Sequence, residues 1–360
     1  MQSMDETETI IIENDKLVHD YFKKTRFKIM LIIALAVMCV LCISFSVTVS
    51  GLDISPIETY EVIFKHITNN IDNNLEDYIV WDLNLPRALF AIITGAGLAV
   101  AGVAMQNIMK NPLADPYTTG ISSGASLGMA VVMCAGITMG QGNGSIAILL
   151  MTFIMSLIPT AIILLLLPKR NTSPATIILI GISLSYFFNA FDTVLLTTTD
   201  ADTLARIYTW QVGTFQYVDW SSIPFTLGAM IVGSSALMVM SNKLNIIALG
   251  DDEATSLGVD AETYRLIILV VLSLMVSMVV AYAGIIGFVG LVAPHVIRSI
   301  IGSNNKFLIP TAMLAGSLFL LGCDILCRMV NSVTLPVGTM ASLIGGPIFV
   351  YVVLKSKNMW

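Results

Sequence analysis

Charged residues are scarce in this chain. Asp, Glu, Lys and Arg make up 12% of its 360 residues, which is about half of the fraction that soluble domains carry. Hydrophobic residues make up 56% and the mean hydropathy is +0.85, so the composition predicts an integral membrane protein. The net charge of −6 leaves no basic face for phosphates, and we expect no nucleic-acid partner.

Motifs for covalent, metal or nucleotide chemistry are also missing. The five cysteines do not form a disulfide framework, because Cys39 and Cys42 lie in one apolar run and Cys323 and Cys327 in another. There is no H-E-x-x-H motif and no cluster of Cys and His, so we expect neither a metal nor another cofactor in this chain. There is no G-x-x-x-x-G-K-[ST] motif, so ATP and its magnesium ion would have to bind a partner chain. We expect no cleavable signal peptide, because the first apolar run is too long and follows a polar stretch.

Long apolar runs extend from one end of the chain to the other. Ten of them are suited to cross a bilayer, at about residues 27–49, 86–108, 117–137, 146–167, 175–197, 222–241, 265–283, 284–300, 309–331 and 336–354. The eighth is short and rich in glycine, and with the seventh it could instead form one long element broken near Ala283-Gly284. The sequence therefore predicts an all-α polytopic membrane protein with a polar tail at 1–26 and a single transmembrane domain at 27–360.

The lysines and arginines indicate the orientation. With the N-terminus inside, fourteen of the 18 Lys and Arg residues fall in inner segments and four in outer ones. Positive residues collect in cytoplasmic loops, so we expect both termini to be cytoplasmic. The outer segment that follows the first run contains a predicted amphipathic helix at Pro56–Ile67, and the segment 198–220 carries tryptophans suited to a membrane interface.

Charge gathers in one segment between the sixth and seventh runs, residues 241–265. Within it Ala254, Leu257 and Ala261 are spaced to give one apolar face of a short helix. The segment would be either a solvated connector or a docking surface. The count of Lys and Arg places it in the cytoplasm.

Some patterns within the runs have two interpretations. Gly120, Ser122 and Gly124 fit G-x-S-x-G, and with His295 they would suit a serine hydrolase. That motif needs a strand that enters a helix, whereas here the glycines recur every four residues, which favours close helix packing. Asp324 and Arg328 are spaced to pair on one helix face.

Buried acids and prolines point to transport. Asp192 and Asp324 would serve an ion-coupled secondary transporter, although Asp192 lies near a span end and would also meet water there. Prolines at Asn111-Pro112, Ala293-Pro294 and Leu335-Pro336 are expected to end or bend helices. Backbone groups that lose their helical hydrogen bonds within the membrane are tolerated where they line a cavity.

Several long stretches resemble one family, the permease subunits of iron-siderophore and cobalamin ABC importers. They are LPRALFAIITGAGLAVAGVAMQNIMKNPLADPYTTGISSGASLG (85–128), WQVGTFQYVDW (210–220), LNIIALGDDEATSLGV (244–259), GIIGFVGLVAPHVIRSIIG (284–302) and LPVGTMASLIGGPIF (335–349). The resemblance implies the type II ABC importer permease fold of about ten transmembrane helices. It also implies a homodimer in a prokaryotic cell membrane, two ATP-binding subunits inside and a substrate-binding protein outside, and no enzymatic activity in this chain.

The resemblance also assigns residues to these roles. The segment that contains Gly250, Glu253, Ala254, Leu257 and Gly258 matches the coupling helices that dock on the ATPase. Arg87 and Arg328 match arginines that meet the binding protein, and Thr172 and Ser173 match the inner gate.

A few positions depart from the family pattern. Asn84 and Thr334 stand where an arginine and a glutamate are common, and Asn304-Asn305-Lys306 replaces Asp-His-Arg. The expected substrate is an iron(III)-siderophore or a similar metal chelate, with cobalamin or haem as the alternatives.

Overall fold

The chain folds into a bundle of helices in a computed structural model that describes residues 2–49, 54–71, 74–137, 143–167, 173–330 and 335–355. Within those ranges the α-helices are, in order, α1 (Gln2–Thr48), α2 (Pro56–Ile67), α3 (Leu75–Asp77), α4 (Leu85–Ile108), α5 (Ile121–Cys134), α6 (Asn143–Leu166), α7 (Pro174–Thr198), α8 (Ala201–Gln211), α9 (Ser222–Val239), α10 (Ser241–Ile247), α11 (Asp251–Ser256), α12 (Ala261–Ala283), α13 (Val289–Ile301), α14 (Asn305–Met329) and α15 (Val337–Lys355). A π-helical stretch, Tyr78–Asn84, joins α3 to α4, and a 3₁₀ turn, Pro116–Thr119, precedes α5.

Eight of the described helical segments are long and apolar enough to cross a membrane, and α5 and α13 are shorter apolar helices. Together they match the ten predicted runs, and the all-helical fold is confirmed. The backbone of the expected polar tail is also helical, because α1 begins at Gln2 and continues into the span Phe22–Thr48. Helix α2 lies at the start of the span Leu75–Ile108, where His66 stacks on Trp81, and α11 is joined to its end through Arg265, so these two short helices lie at opposite ends of that span.

Helix α4 is the centre of the bundle. Its span is 83% buried, and it packs against α14 and α13 through glycines. A Cβ on Gly95 would overlap the carbonyl oxygen of Gly316, and a Cβ on Gly102 would overlap that of Gly290. Because lipid supplies no hydrophobic force between helices, such close backbone contact is a main source of association within the membrane.

The glycines of α5 confirm the packing interpretation of G-x-S-x-G. Gly124 and Gly128 face Met155 of α6, where any larger side chain would collide with the α6 backbone. Gly120 lies at the helix N-terminus with φ 90° and faces Gly181 of α7. The segment is preceded by a 3₁₀ turn and begins a helix, so the strand-to-helix geometry of a nucleophile elbow is not present here.

The seventh and eighth runs form two helices separated by a non-helical break. Helix α12 ends at Ala283, and α13 begins at Val289 after residues with left-handed backbone, Gly284 (φ 72°) and Phe288 (φ 68°). Other segments satisfy the backbone groups that the break exposes. Thr214 N donates to Ala283 O at 2.8 Å, as expected for irregular backbone covered by protein.

Helix α13 continues through Pro294, so of the two predicted outcomes, an end or a bend, the structure excludes an end. Pro294 lies inside Val289–Ile301, and a proline there leaves the carbonyl four residues earlier without its usual donor. That carbonyl, of Gly290, accepts a hydrogen bond from Gln106 Nε2 at 3.4 Å. The side chain from α4 therefore replaces the missing backbone N–H. Of the other two breaks, Lys110 has a left-handed backbone (φ 47°) just before Asn111-Pro112, and Pro336 directly precedes α15.

Candidate functional site

The segment between α9 and α12 is held in a defined shape by two glycines. Gly250, with φ 151°, precedes α11, and Gly258, with φ 73°, follows it. After α11, Val259 N donates to Ala254 O at 2.8 Å and Gly258 N donates to Thr255 O at 3.0 Å. This is the Schellman arrangement, which needs a residue with positive φ after the helix. Buried Ala254 and Val259 supply the apolar contact that accompanies it.

An ion-pair network fixes α11 to the transmembrane core. Asp251 Oδ1 lies 2.7 Å from Arg265 Nη2 and 2.8 Å from Lys110 Nζ. Arg265 is fully buried, and its Nε donates to Ile108 O at 3.0 Å, at the end of α4. The first residue of α11 is thereby joined both to α4 and to α12.

The pKa of Asp251 reflects this network. Partial burial would raise the pKa of Asp251, but the hydrogen bonds and positive charges of Lys110 and Arg265 outweigh burial and hold the pKa below its usual value. The carboxylate is therefore charged at neutral pH and stabilises both cations.

The residues predicted to dock on an ATPase differ in how exposed they are. Leu257 is 59% exposed and Glu253 is exposed, whereas Ala254 is fully buried and does not reach the surface. Gly250 and Gly258 form the turns at the two ends of α11. The predicted single apolar face of Ala254, Leu257 and Ala261 is wrong, because α11 ends at Ser256 and Leu257 points away from the two buried alanines. Leu249, which the sequence interpretation did not single out, is 65% exposed beside it.

A polar cavity of about 300 Å³ lies next to this segment. Its lining includes Asn107 and Lys110 from the end of α4 and its turn, Leu249, and Arg298 of α13. Arg298 Nη1 donates to Gln106 Oε1 at 2.7 Å. Exposed Leu249 therefore borders a cleft that also contains the basic side chains Lys110 and Arg298.

On the opposite side of the membrane, one aspartate joins two arginines. Asp324 is fully buried, and its carboxylate lies 2.6 Å from Arg87 Nε and 3.1 Å from Arg328 Nε. The predicted pair of Asp324 and Arg328 is confirmed, whereas the contact with Arg87 joins residues 237 positions apart and has no sequence signal. The Arg87 side chain is 24% exposed and that of Arg328 is 10% exposed.

Arg328 also holds the ends of α1 and α4. It donates to Val49 O at 3.0 Å and to Asn84 Oδ1 at 3.4 Å, and it contacts Ser46 Oγ. Asn84, one of the departures from the family pattern, is thus an acceptor for Arg328. Of the two arginines predicted to meet a binding protein, Arg87 is the more accessible.

Asp192 is buried and hydrogen-bonded within the chain. It is 7% exposed, and its Oδ2 accepts hydrogen bonds from Ser126 Oγ at 2.8 Å and Gln211 Nε2 at 3.0 Å. These contacts link α7 to α5 and α8. Both carboxylates of the secondary-transport hypothesis, Asp192 and Asp324, therefore have donors or cations from the chain itself.

The start of α7 contains the predicted gate. Ser173 caps this helix, because its Oγ accepts a hydrogen bond from Thr176 N at 3.2 Å. Thr172 lies outside the described residues. The exposed face of α7 carries a polar stripe of uncharged side chains at helical spacing: Ser183, Tyr186, Asn189, Thr193 and Thr197.

Comparisons with known proteins agree with these features. The FecCD transport family matches residues 32–355. The chain is 33% identical to the hemin transport system permease protein HmuU of Yersinia pestis over 82% of this chain and 89% of that protein. It is 34% identical to the vitamin B12 import system permease protein BtuC of Klebsiella pneumoniae over 78% of this chain and 83% of that protein.

A solved structure agrees over a larger part of the chain. It is an inward-facing conformation of a metal-chelate type ABC transporter, with 29% identity and a TM-score of 0.77, and the match covers 91% of this chain and 99% of that one. An ion-coupled secondary transporter and a serine hydrolase belong to other classes and are set aside. The chain belongs to the FecCD transport family and is a membrane-embedded permease of an ABC importer.

Proposed function

We propose that this chain is the permease subunit of a binding-protein-dependent importer for an iron(III)-siderophore or a similar metal chelate. Support comes from the similarity to a metal-chelate type transporter over 91% of the chain. Cobalamin and haem are the alternatives within the family, because relatives that carry those substrates are about equally similar in sequence.

The observation that carries the proposal is the rigid attachment of α11 to the transmembrane helices. Exposed Leu249 and Leu257 flank the short helix α11, which is fixed to α4 and α12 through Asp251. A solvated connector does not need a fully buried arginine to hold it. A surface that transmits the movement of an ATPase to the transmembrane helices must be attached to them rigidly.

The partners follow from this arrangement. The α11 side is cytoplasmic, together with both termini, and there two ATP-binding subunits dock on Leu257, Glu253 and the turns at Gly250 and Gly258. On the opposite side a substrate-binding protein meets Arg87, with Arg328 beneath it. Two copies of the permease enclose the pathway, ATP and magnesium stay on the partner ATPase, and this chain performs no covalent chemistry.

The polar stripe on α7 is suited to line that pathway. The hydroxyls of Ser183, Thr193 and Thr197 donate to backbone carbonyls of their own helix. The exposed polar groups of Tyr186 and Asn189 would be poorly solvated by lipid tails. Facing a central water-filled pathway between two copies, they would contact a bulky chelate without binding it tightly. ATP binding would then bias the helices between outward and inward states, with the gate near Thr172 and Ser173 at the inner end.

Co-purification tests the docking surface. Leu257→Glu places a charge where an apolar contact is proposed, and we expect it to abolish recovery of a co-expressed ATPase subunit with the tagged permease. Leu204→Glu in α8, a partly exposed leucine on the opposite side, is the matched control and should leave recovery unchanged. Equal recovery with both variants would contradict the assignment of the docking surface.

A further inference from the structure

Helix α2 has three distinct faces. The first packs on the protein, with Thr59 and Val62 buried. On this face His66 Nε2 lies 2.7 Å from Asp77 Oδ1, and the imidazole stacks on the ring of Trp81 with 4.1 Å between centroids. The helix is thus firmly attached to the stretch that leads into α4.

The second face is charged. Glu58 completes a capping box with Ser55, in which Ser55 N donates to the Glu58 carboxylate at 2.8 Å. One turn later Lys65 Nζ lies 2.8 Å from Glu61 Oε1, and the Glu61 side chain is 57% exposed. This face is suited to water.

The third face is apolar and exposed. Ile57, Tyr60, Phe64 and Ile67 are spaced three, four and three residues apart, so they form one stripe along the helix. Their exposed fractions are 80%, 47%, 65% and 74%. The first face already attaches α2 to the protein, so this apolar stripe is not needed for that attachment.

The surroundings of the stripe indicate what covers it. Tyr60 Oη donates to Ser44 O of α1 at 3.1 Å. Ser44 lies one turn before the end of α1 at Thr48, about 6 Å further into the membrane. On α1 the neighbouring Leu41 and Phe45 are 64% and 52% exposed, and only 11% of the residues in the most apolar 18-residue stretch of α1 are buried. The stripe on α2 is therefore continuous with the lipid-facing surface of α1.

We propose that α2 lies in the interfacial layer of the lipid bilayer, with Ile57, Tyr60, Phe64 and Ile67 inserted among the phospholipids. The charged face with Glu61 and Lys65 then points to water, as in other interfacial amphipathic helices. The aromatic side chains would lie at the level of the headgroups. This proposal requires only that the chain spans a membrane, and it does not depend on the substrate or on the partners of the importer.

Spin labels on the full-length permease in vesicles of phosphatidylethanolamine and phosphatidylglycerol test the proposal. The five native cysteines are replaced by alanine, and a nitroxide is attached at Phe64→Cys or, as the matched water-facing control, at Glu61→Cys. We expect the label at position 64 to collide more often with oxygen, which partitions into lipid, than with a water-soluble nickel complex. The label at position 61 should show the opposite preference. Phe45→Cys on α1 provides the reference for a lipid-facing site.

Three results would overturn the proposal. A label at position 64 that favours the nickel complex as strongly as the label at 61 would show that the stripe faces water. A label that neither reagent reaches would show that another protein surface, such as a second copy, covers it. A water-exposed label that becomes protected only when the binding protein is added would identify the stripe as a protein-docking site.

Discussion

Asp251 on the short helix α11 lies 2.7 Å from the guanidinium of Arg265, which is fully buried at the start of α12. Arg265 in turn donates to the carbonyl of Ile108 at the end of the central helix. Helices α11 and α12, which are consecutive in the chain, thus meet the distant end of α4 at one charge pair. The position of the proposed docking surface relative to the transmembrane core depends on this pair.

Removal of the Asp251 carboxylate should loosen α11. Asp251→Asn weakens the interaction with both Lys110 and Arg265, and because Asp251 is partly exposed we expect a loss of about 1 to 3 kcal/mol of stability. The midpoint of thermal unfolding of the permease in detergent should fall. Asp252→Asn, at an exposed neighbouring position, should leave the midpoint unchanged, and an equal fall in both variants would refute the anchoring role.

The contribution of Asp251 should depend on pH in a defined direction. Its pKa in the folded chain is lowered from an unfolded value of about 3.9, so the carboxylate stabilises the folded state fully above that value. The stabilisation is lost as the pH falls through the lowered pKa. The difference in unfolding midpoint between the native chain and Asp251→Asn should therefore be constant near neutral pH and shrink below about pH 4. A difference that shrinks on going from pH 7 to pH 9 would contradict this.

The two arginines at Asp324 should differ in their effect on stability. Arg328 is the more buried and also binds the ends of α1 and α4, so Arg328→Met should lower the unfolding midpoint more than Arg87→Met. Asp324→Asn leaves two cations without their shared carboxylate, and we expect a loss of about 3 kcal/mol or more. Equal effects of the two arginine substitutions would show that the contacts of Arg328 with Val49 and Asn84 contribute little.

Glycines of the central helix should not tolerate even a methyl group. In Gly95→Ala the new Cβ would overlap the backbone of Gly316, and we expect poor recovery of folded protein from membranes. Gly228→Ala in α9 is the matched control, because its Cβ meets no atom within 4 Å and alanine favours the helix by about 1 kcal/mol. Size-exclusion profiles of both variants distinguish a packing defect from a general effect of the substitution.

The apolar runs were sufficient to predict the helical fold, because the bilayer imposes both length and composition on a span. The amphipathic helix Pro56–Ile67 was predicted with its observed bounds, since Ser55, Pro56 and Glu58 are strong signals for a helix start. That α13 continues through Pro294 was not predicted, because Gln106 of another helix supplies the missing donor. Local sequence cannot reveal such a donor.

The docking role of the segment around α11 stays a prediction, and its individual side-chain contacts were not predicted. The resemblance to the family assigned residues 244–259 to docking, but it did not reveal that Ala254 is buried and Leu257 exposed, which depends on where α11 ends. The contacts of Arg87 with Asp324 and of Arg265 with Asp251 require the packed bundle. The orientation of the termini and the docking of partners remain predictions.

ATP-driven uptake in reconstituted vesicles tests the central claim most directly. The permease, its ATPase and its binding protein are reconstituted, and uptake of a ferric siderophore is compared with uptake of cobalamin and hemin. We predict uptake of the ferric chelate that requires ATP on the ATPase side and is lost with Leu257→Glu, whereas Leu204→Glu leaves the coupling to ATP intact. Uptake by the permease alone, driven by a proton or sodium gradient without the ATPase, would contradict the account.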